Sequence, residues 1–207
     1  ADEIDSMFTE SGVTVHGGAK VEGGSTTPTG VRLDLNDGTT VLADLAVIGL
    51  GIEPAGVLAR RSGLETSSDG GIVVDERLTT GDPDVLAAGD VAEYPDHILG
   101  RRRVEHVDNA NEMGATAGRI LAGSDEVYDH TPMFYSDLFD AWYEAVGTLD
   151  ASLRTEVVDK PDGGKVVYYI GDDEVVGVLM WKVGDGVEPA KKVLAAHTIP
   201  ASFDDLI

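Results

Sequence analysis

The sequence has no cysteine in its 207 residues. This absence excludes a disulfide framework, thiolate metal ligands, a cysteine nucleophile and a redox-active cysteine pair. No apolar run approaches the roughly 20 residues that a membrane-spanning helix needs. The first residues, ADEIDSMFTESG, lack the basic region and the apolar stretch of a secretory signal peptide. We therefore expect no membrane span and a cytoplasmic protein.

Basic residues are also scarce, because 15 Lys+Arg stand against 38 Asp+Glu, which gives a formal net charge of -23. A surface this negative repels nucleic acid and anionic membranes at ordinary salt, so no nucleic-acid partner is expected. Two explanations of the charge stay open. The protein is either adapted to high salt, where self-repulsion is screened, or an ordinary acidic cytosolic protein. The hydrophobic content of 42% is enough to bury a core in one or two domains.

Signals of a self-contained catalytic centre are missing too. The five histidines show no metal-ligand spacing, and no serine lies in a nucleophile elbow. Neither 49–51 (GLG) nor 184–186 (GDG) is followed by a third glycine at the offset of a dinucleotide fingerprint. The sequence therefore predicts no catalytic residue of its own and no metal site.

The first half of the chain reads as a mixture of short elements. A helix end closed by Gly12 comes first, and Asn36-Asp37-Gly38 predicts a tight turn between two strands. The run LAVIGL predicts a strand buried on both faces, because such strands are apolar throughout. The predicted strands are 13–16, 19–22, 31–35, 40–42, 45–50, 72–74 and 85–88, with a short helix at 57–62.

The second half opens with a helix and continues as strands. Residues 108–122 carry apolar or small side chains at helical spacing, and Asn109 with Glu112 resembles a capping box. Aromatic residues cluster after Thr131, and alternating patterns then predict a mostly antiparallel sheet. Its predicted strands are 144–148, 154–158, 165–170 and 174–181, and a last helix is predicted at 189–196, with Pro189 in its first turn.

Two polar features near residues 90 and 101 suit either a ligand or local structure. Asp90 follows a short predicted strand, where open α/β sheets bind ligands and a carboxylate can accept hydrogen bonds from sugar hydroxyls. It equally suits a turn that caps backbone amides. Arg101–Arg103 forms a predicted loop before Glu105 and His106, and suits either local ion pairs or an anionic ligand at the next helix start. Residue types alone favour the structural role at both places.

Taken in order, these segments resemble the C-terminal half of the FAD-dependent pyridine-nucleotide oxidoreductases. AVIGLGIEP resembles the crossing from the NAD(P)H domain back to the flavin domain, and LTTGDPDVLAAGDV resembles the second flavin motif. GRRRVEHVDNANEMGATAG, PMFYSDLFDAWYEAVGTLD and VVGVLMWK are most similar to the apoptosis-inducing-factor branch with its ferredoxin-reductase-like relatives. The resemblance covers nearly the whole chain.

The resemblance implies a mixed α/β and α+β fold, in which partial Rossmann-like FAD and NAD domains precede a mostly antiparallel β-sheet domain with helices. Residues 1–50 would be the tail end of the NAD(P)H-binding domain. Residues 51–131 would be the second segment of the FAD-binding domain. Residues 132–207 would be the C-terminal reductase and dimerisation domain.

The resemblance also assigns four residues to FAD. Asp90 would hydrogen-bond the ribityl chain of the cofactor. Glu105, His106 and Val107 would lie beside the isoalloxazine ring, where the helix that begins near Asp108 directs its positive end at the pyrimidine side.

Three more residues are assigned to NAD(P)H by the same resemblance. Gly51 would allow close approach of the backbone to the nicotinamide, whose pocket Glu105 and His106 would also line. Tyr135 stands where the branch has a tryptophan that packs over the flavin–nicotinamide region. Glu144 matches a position near the adenine end of bound NAD.

The implied reaction is hydride transfer from NAD(P)H to FAD, with the electrons passed on to an acceptor. Because both glycine-rich phosphate-binding turns are missing, we expect the 207 residues alone to bind FAD poorly or not at all and to lack dehydrogenase activity. The expected partners are the missing N-terminal half of the same protein, an electron acceptor such as a ferredoxin, and a second copy of the chain. The acceptor, the choice of NADH or NADPH, the oligomeric state and the role of Arg101–Arg103 stay open.

A second interpretation comes from a different class of protein. The chain would then be a non-catalytic interaction or dimerisation module that has kept the C-terminal domain of a reductase. The upstream sequence separates the two, because two G-x-G-x-x-G turns, each after a buried strand, would support the enzyme and their absence would support the module.

Overall fold

The computed structural model describes residues 2–207, which form two compact units that divide between Ile52 and Glu53. The first unit contains α1 (Asp2–Glu10), β1 (Val21–Thr27), β2 (Gly30–Leu35) and β3 (Thr40–Ala43). The second contains α2 (Val57–Arg61), β4 (Ile72–Val73), β5 (Ala92–Asp96), β6 (Gly100–Arg102), α3 (Val107–Leu121), β7 (Met133–Leu138), β8 (Ala141–Gly147), β9 (Arg154–Asp159), β10 (Lys165–Ile170), β11 (Val175–Trp181) and α4 (Val187–Ala195). The division into three domains at residues 50 and 131 stays a prediction.

The first unit is a helix followed by an antiparallel sheet in the order β1-β2-β3. Gly12 has a φ of +83°, which is the left-handed conformation expected just after a helix, so the predicted helix end is confirmed. The strand predicted at 13–16 is wrong, because no β-ladder among residues 2–207 includes it. His16 instead begins a turn, and its carbonyl accepts a hydrogen bond from the Ala19 N–H at 3.2 Å.

The buried strand predicted for Leu45–Leu50 is also wrong. The segment is neither helix nor strand, and the side chains of Val47 and Leu50 are 91% and 92% exposed. A strand that is apolar on both faces needs neighbouring strands and a layer on each side. Within residues 2–207 no β-ladder pairs with this segment.

The second unit has two cores, and the first lies under helix α3. The three-stranded sheet β4-β5-β6 pairs β4 with β5 in parallel and β5 with β6 antiparallel. Met113 and Ala117, one helical turn apart, bring α3 onto this core, where Tyr94 of β5 is 1% exposed. Its buried members are Val74, Leu78, Ala87, Ala92, Tyr94, Val104, Met113, Ala117 and Tyr128.

Several local predictions near this core are wrong. The predicted strand 85–88 is reduced to a single bridge between Thr79 and Leu86, because the chain turns into a 3₁₀ helix at Gly89. Asn109 does not cap α3: the N-cap is His106, and Asn109 is buried, where its Oδ1 accepts a hydrogen bond from Tyr128. Leu121, one of the apolar residues in the predicted helix 108–122, is 71% exposed.

The second core fills one face of a five-stranded antiparallel sheet in the order β7-β8-β11-β10-β9. Ala190 and Leu194 of α4 pack on it, and alternate residues of β10, such as Val166 and Tyr168, point into it. The core members are Val146, Val166, Tyr168, Val175, Val178, Met180, Ala190 and Leu194. The predicted mixed fold with a mostly antiparallel C-terminal sheet is confirmed.

The described residues lack a membrane-spanning helix and a metal-binding cluster. No helix within residues 2–207 is long and apolar enough to cross a membrane. The same residues contain no group of three or more His, Cys, Asp or Glu that could hold a metal ion.

Gly147 is the last residue of β8 and pairs with Gly177 of β11 at a crowded position. Its replacement should therefore lower the stability of the fold. Gly147 and Gly163 share a φ of +86°, so both alanine variants carry the same backbone strain, about 1–2 kcal/mol. An added Cβ at Gly147 would also overlap the Val176 carbonyl oxygen, whereas at Gly163 it would meet nothing within 4 Å. We predict that Gly147→Ala lowers the free energy of unfolding by at least ~2 kcal/mol more than Gly163→Ala in denaturant titrations. Equal losses would contradict the packing described.

Candidate functional site

Six of the seven residues assigned to cofactors lie in the second compact unit. They are Asp90, Glu105, His106, Val107, Tyr135 and Glu144. Gly51 lies in the first unit with a φ of +85°, a conformation that favours glycine, and an added Cβ would meet nothing within 4 Å.

Asp90 occupies the centre of a 3₁₀ helix, Gly89–Val91, that lies against α3. Gly89, with a φ of +78°, makes the turn, and its N–H lies 3.1 Å from the Met113 sulfur. Asp90 is exposed, and among residues 2–207 no group hydrogen-bonds its carboxylate. The carboxylate therefore remains available to a ligand, and the local capping role that residue types favoured does not describe it.

Arg103 ties three segments of the site together. Its Nε donates to Asp69 Oδ2 at 2.7 Å, and its Nη1 donates to the Asp90 carbonyl and to Glu105 Oε1, both at 2.9 Å. The guanidinium side chain is only 13% exposed. Because it contacts the backbone of Asp90 and the side chain of Glu105 at once, Arg103 sets the distance between two predicted ligand groups.

Asp69 completes this ion-pair cluster. Its Oδ1 accepts hydrogen bonds from the Ser67 hydroxyl at 2.6 Å and from the Gly71 N–H at 3.3 Å. The Ser67 hydroxyl and then Arg103 lower the pKa of Asp69 to about 2. Burial lowers the pKa of the Arg103 guanidinium, but its hydrogen bonds to Asp69 and Glu105 outweigh this and raise it overall. Asp69 and Arg103 are therefore both ionised at neutral pH.

The predicted arginine loop is partly a strand, which explains why basic residues gather there. Gly100–Arg102 is β6, paired antiparallel with β5, so a hairpin replaces the expected loop. Nη1 of Arg101 donates to the carbonyl oxygens of Val74 and Glu93, at 3.0 and 3.1 Å. Arg101 thus connects two backbone segments, whereas Arg103 connects the segments that contain Asp69, Asp90 and Glu105.

His106 is the N-cap of α3 and stacks on an aromatic ring of β7. Its imidazole lies 4.6 Å from the Phe134 ring, centroid to centroid, with 20° between the planes. Burial, and then the positive charge of Arg102, lower the pKa of His106 below its ordinary value of 6.5, although Asp90 and Asp108 oppose this. The imidazole is therefore mostly neutral at pH 7, able to donate from one ring nitrogen and accept at the other.

The N-terminus of α3 is open. His106 makes no side-chain cap hydrogen bond, and Val107 at the first helical position is 67% exposed. The first N–H groups of a helix have no intrahelical partner, so those of the first turn are free to bind an electron-rich group.

Tyr135 and Glu144 are direct partners across strands β7 and β8. Cross-strand partners project from the same face of a sheet, so these two side chains are neighbours. Phe134 precedes Tyr135 and projects from the opposite face, where it stacks on His106. The aromatic ring that contacts His106 is thus Phe134, the residue before the predicted Tyr135.

A family model described as pyridine nucleotide-disulphide oxidoreductase matches residues 1–114, more than half of the chain. The chain belongs to this family. Its enzymes use FAD and NAD(P)H. The matched region contains Gly51, Asp90, Glu105, His106 and Val107.

Named relatives agree with this membership. Apoptosis-inducing factor 1 of Dictyostelium discoideum is 36% identical over 83% of this chain and 35% of its own length. A ferredoxin reductase structure from Rhodopseudomonas palustris has a TM-score of 0.78 at 27% identity, covering 96% of this chain and 51% of that one. An FAD-dependent pyridine nucleotide-disulphide oxidoreductase structure from Desulfovibrio vulgaris has a TM-score of 0.79 at 25% identity, covering 95% and 53%. The chain spans 33–49% of the length of the curated relatives that it matches.

The residues present suit the part of FAD expected here. A free carboxylate at Asp90 can accept hydrogen bonds from polyol hydroxyls, and the open α3 terminus can donate to an electron-rich ring oxygen. Glu105 is held by Arg103 and His106 by Phe134, so both side chains are fixed beside that terminus.

The Arg103 cluster gives a stability prediction. A lysine at 103 would keep the charge but has one ammonium in place of the Nε and Nη1 donors, so it cannot reproduce all three bonds. We predict that Arg103→Lys lowers the free energy of unfolding by about 1–3 kcal/mol in denaturant titrations.

The matched control is Arg61→Lys, at the exposed end of α2. It should change the free energy of unfolding by less than about 0.5 kcal/mol. If Arg103→Lys lowers the free energy of unfolding no more than Arg61→Lys does, the Arg103 guanidinium does not stabilise the cluster.

Proposed function

We propose that the chain is the C-terminal part of a flavoprotein oxidoreductase that transfers hydride from NAD(P)H to FAD and passes the electrons to an acceptor. The observation that carries the proposal is the Arg103 cluster. One guanidinium joins the turn of Asp90 to Glu105, directly beside His106 and the open end of α3. Family membership supports the cofactor chemistry.

FAD, when bound, supplies the hydride-accepting ring of the reaction. The role of Asp90 is to accept hydrogen bonds from the ribityl hydroxyls and so to anchor the cofactor. The N–H groups of the first turn of α3 donate to the pyrimidine side of the ring, where the positive end of the helix stabilises negative charge.

The nicotinamide side depends on Glu105 and His106. Arg103 keeps the Glu105 carboxylate in place, and the neutral imidazole of His106 offers one donor and one acceptor. Glu144 and Tyr135, which share a sheet face, are assigned to the adenine end and to packing over the ring region. Gly51 allows the backbone to approach the nicotinamide.

We further propose an electron-acceptor protein such as a ferredoxin as partner, together with the N-terminal half of the same polypeptide and a second copy of the chain. The name of the Rhodopseudomonas relative supports the ferredoxin assignment. We also propose that residues 1–50, 51–131 and 132–207 belong to the NAD(P)H, FAD and C-terminal domains.

The function is tested on the continuous polypeptide encoded by the gene, expressed with whatever precedes Ala1. We expect two G-x-G-x-x-G turns upstream and a yellow protein whose flavin absorbance is lost on anaerobic addition of NADH or NADPH. A flavin-free protein whose upstream sequence lacks both turns would instead support a non-catalytic interaction or dimerisation module.

Asp90 gives a residue-level prediction. Asp90→Ala removes a carboxylate that no other described group engages, so folding should be little affected while a hydrogen bond to the cofactor is lost. In the continuous polypeptide we expect the binding free energy of FAD to become less favourable by about 1–3 kcal/mol, measured by flavin fluorescence after equilibrium dialysis.

Asp172→Ala is the control, because it removes the same charge from an exposed turn between β10 and β11. It should leave FAD affinity unchanged. If the two variants bind FAD equally well, Asp90 does not contact the cofactor.

A further inference from the structure

The first turn of α3 contains a carboxylate that does not serve its own helix. Asp108 is the acidic residue of that turn, where a carboxylate normally interacts with the free N–H groups. Its Oδ2 instead accepts a hydrogen bond from the Met133 N–H at 2.9 Å and lies 2.6 Å from His130 Nε2. Both partners come from the segment that ends at the first residue of β7, so the carboxylate is directed away from the helix end.

The next residue of the helix is held by the same segment. The Tyr128 hydroxyl donates to Asn109 Oδ1 at 2.8 Å, and Asn109 is fully buried. Residues 128–133 therefore anchor two consecutive side chains of the first turn. The first intrahelical hydrogen bond runs from the Ala110 N–H to the His106 carbonyl, which leaves the N–H groups of residues 107–109 without an acceptor in the helix.

His130 also faces a solvent-accessible cavity of about 250 Å³. Lys191, Lys192 and Glu188 of α4 line this cavity, and so does His97, whose Nδ1 lies 3.2 Å from Asp129 Oδ1. The side chains of His130 and Asp108 are each 27% exposed, so neither is locked into a core. Packing alone would not keep the Asp108 carboxylate away from its helix, and the hydrogen bonds must do so.

We propose that His130 and Asp108 are positioning residues for the cofactor at the N-terminus of α3, an inference that rests on the proposed function. His130 and the Met133 N–H hold the Asp108 carboxylate off the helix end. The N–H groups of residues 107–109 consequently stay open to an electron-rich ring oxygen. Without His130 only the Met133 N–H would hold the carboxylate, which would then turn onto these N–H groups and place a negative charge where the ligand is to bind.

Amide hydrogen exchange on the 207-residue chain, without any cofactor, tests the positioning directly. In His130→Ala the released carboxylate should cap its own helix, so the N–H groups of residues 107–109 should exchange about 10-fold more slowly than in the wild type. A merely structural histidine predicts the opposite, because loss of an anchor loosens the turn and speeds exchange. Faster or unchanged exchange in His130→Ala would overturn the proposal.

Three companion variants complete the experiment. His97→Ala removes a histidine from the same cavity that does not touch α3, and should leave exchange at 107–109 unchanged. His130→Gln restores a donor toward Asp108 and should bring exchange back toward the wild-type rate. In an Asp108→Ala background, His130→Ala should cause no slowing, because no carboxylate remains to turn. Slowing that persists in that background would contradict the inference.

Binding of FAD to the continuous polypeptide provides a second readout. His130→Ala should weaken FAD binding about 10-fold, and His97→Ala should not. If the wild-type polypeptide holds no FAD, the proposed function fails, while the exchange result still decides whether His130 positions Asp108. If FAD binds but exchange at 107–109 accelerates in His130→Ala, the proposed function stands and the positioning role is wrong.

Discussion

A single guanidinium organises the candidate site. Arg103 bonds the Asp69 side chain, the Asp90 backbone and the Glu105 side chain, and through them connects a loop, a 3₁₀ turn and the approach to α3. In a chain of net charge -23, two carboxylates this close would repel each other unless a cation lay between them. Arg103 neutralises that repulsion and also fixes geometry, because its donors are rigidly spaced. Arg103 therefore fixes the geometry of the site in addition to balancing negative charge.

The surrounding architecture presents these groups at the end of α3. Met113 and Ala117 seat the helix on the first core, and the hairpin of β5 and β6 brings Arg103 to the same end. The five-stranded sheet contributes Phe134, whose stacking on His106 links strand β7 to the site. Protein groups of this kind do not perform the redox chemistry. They orient a cofactor and stabilise charge that develops on it.

Much of this organisation was readable from residue patterns, and the failures have physical causes. The alternation of apolar and polar residues in 165–170 and 174–181 predicts strands whose bounds nearly match those of β10 and β11. This pattern is reliable because one face of an antiparallel sheet is buried. The strand predicted for LAVIGL is wrong because a strand that is apolar on both faces forms only beside neighbouring strands. The local sequence pattern does not show whether such strands are present. β5 was missed because Pro95 and Asp96 argue against a strand, although Asp96 is buried and accepts a hydrogen bond from Thr131. The partners of Arg103 lie up to 34 positions away from it in the sequence, so only the fold brings them together.

We propose that Asp90, Glu105, His106 and the N-terminus of α3 form the flavin-facing part of an oxidoreductase. A crystal structure of the continuous polypeptide with bound FAD tests it most directly. We predict a ribityl hydroxyl within hydrogen-bonding distance of the Asp90 carboxylate, and the pyrimidine side of the ring at the N–H groups of residues 107–109. A flavin bound elsewhere, with the Asp90 carboxylate in bulk solvent, would contradict it.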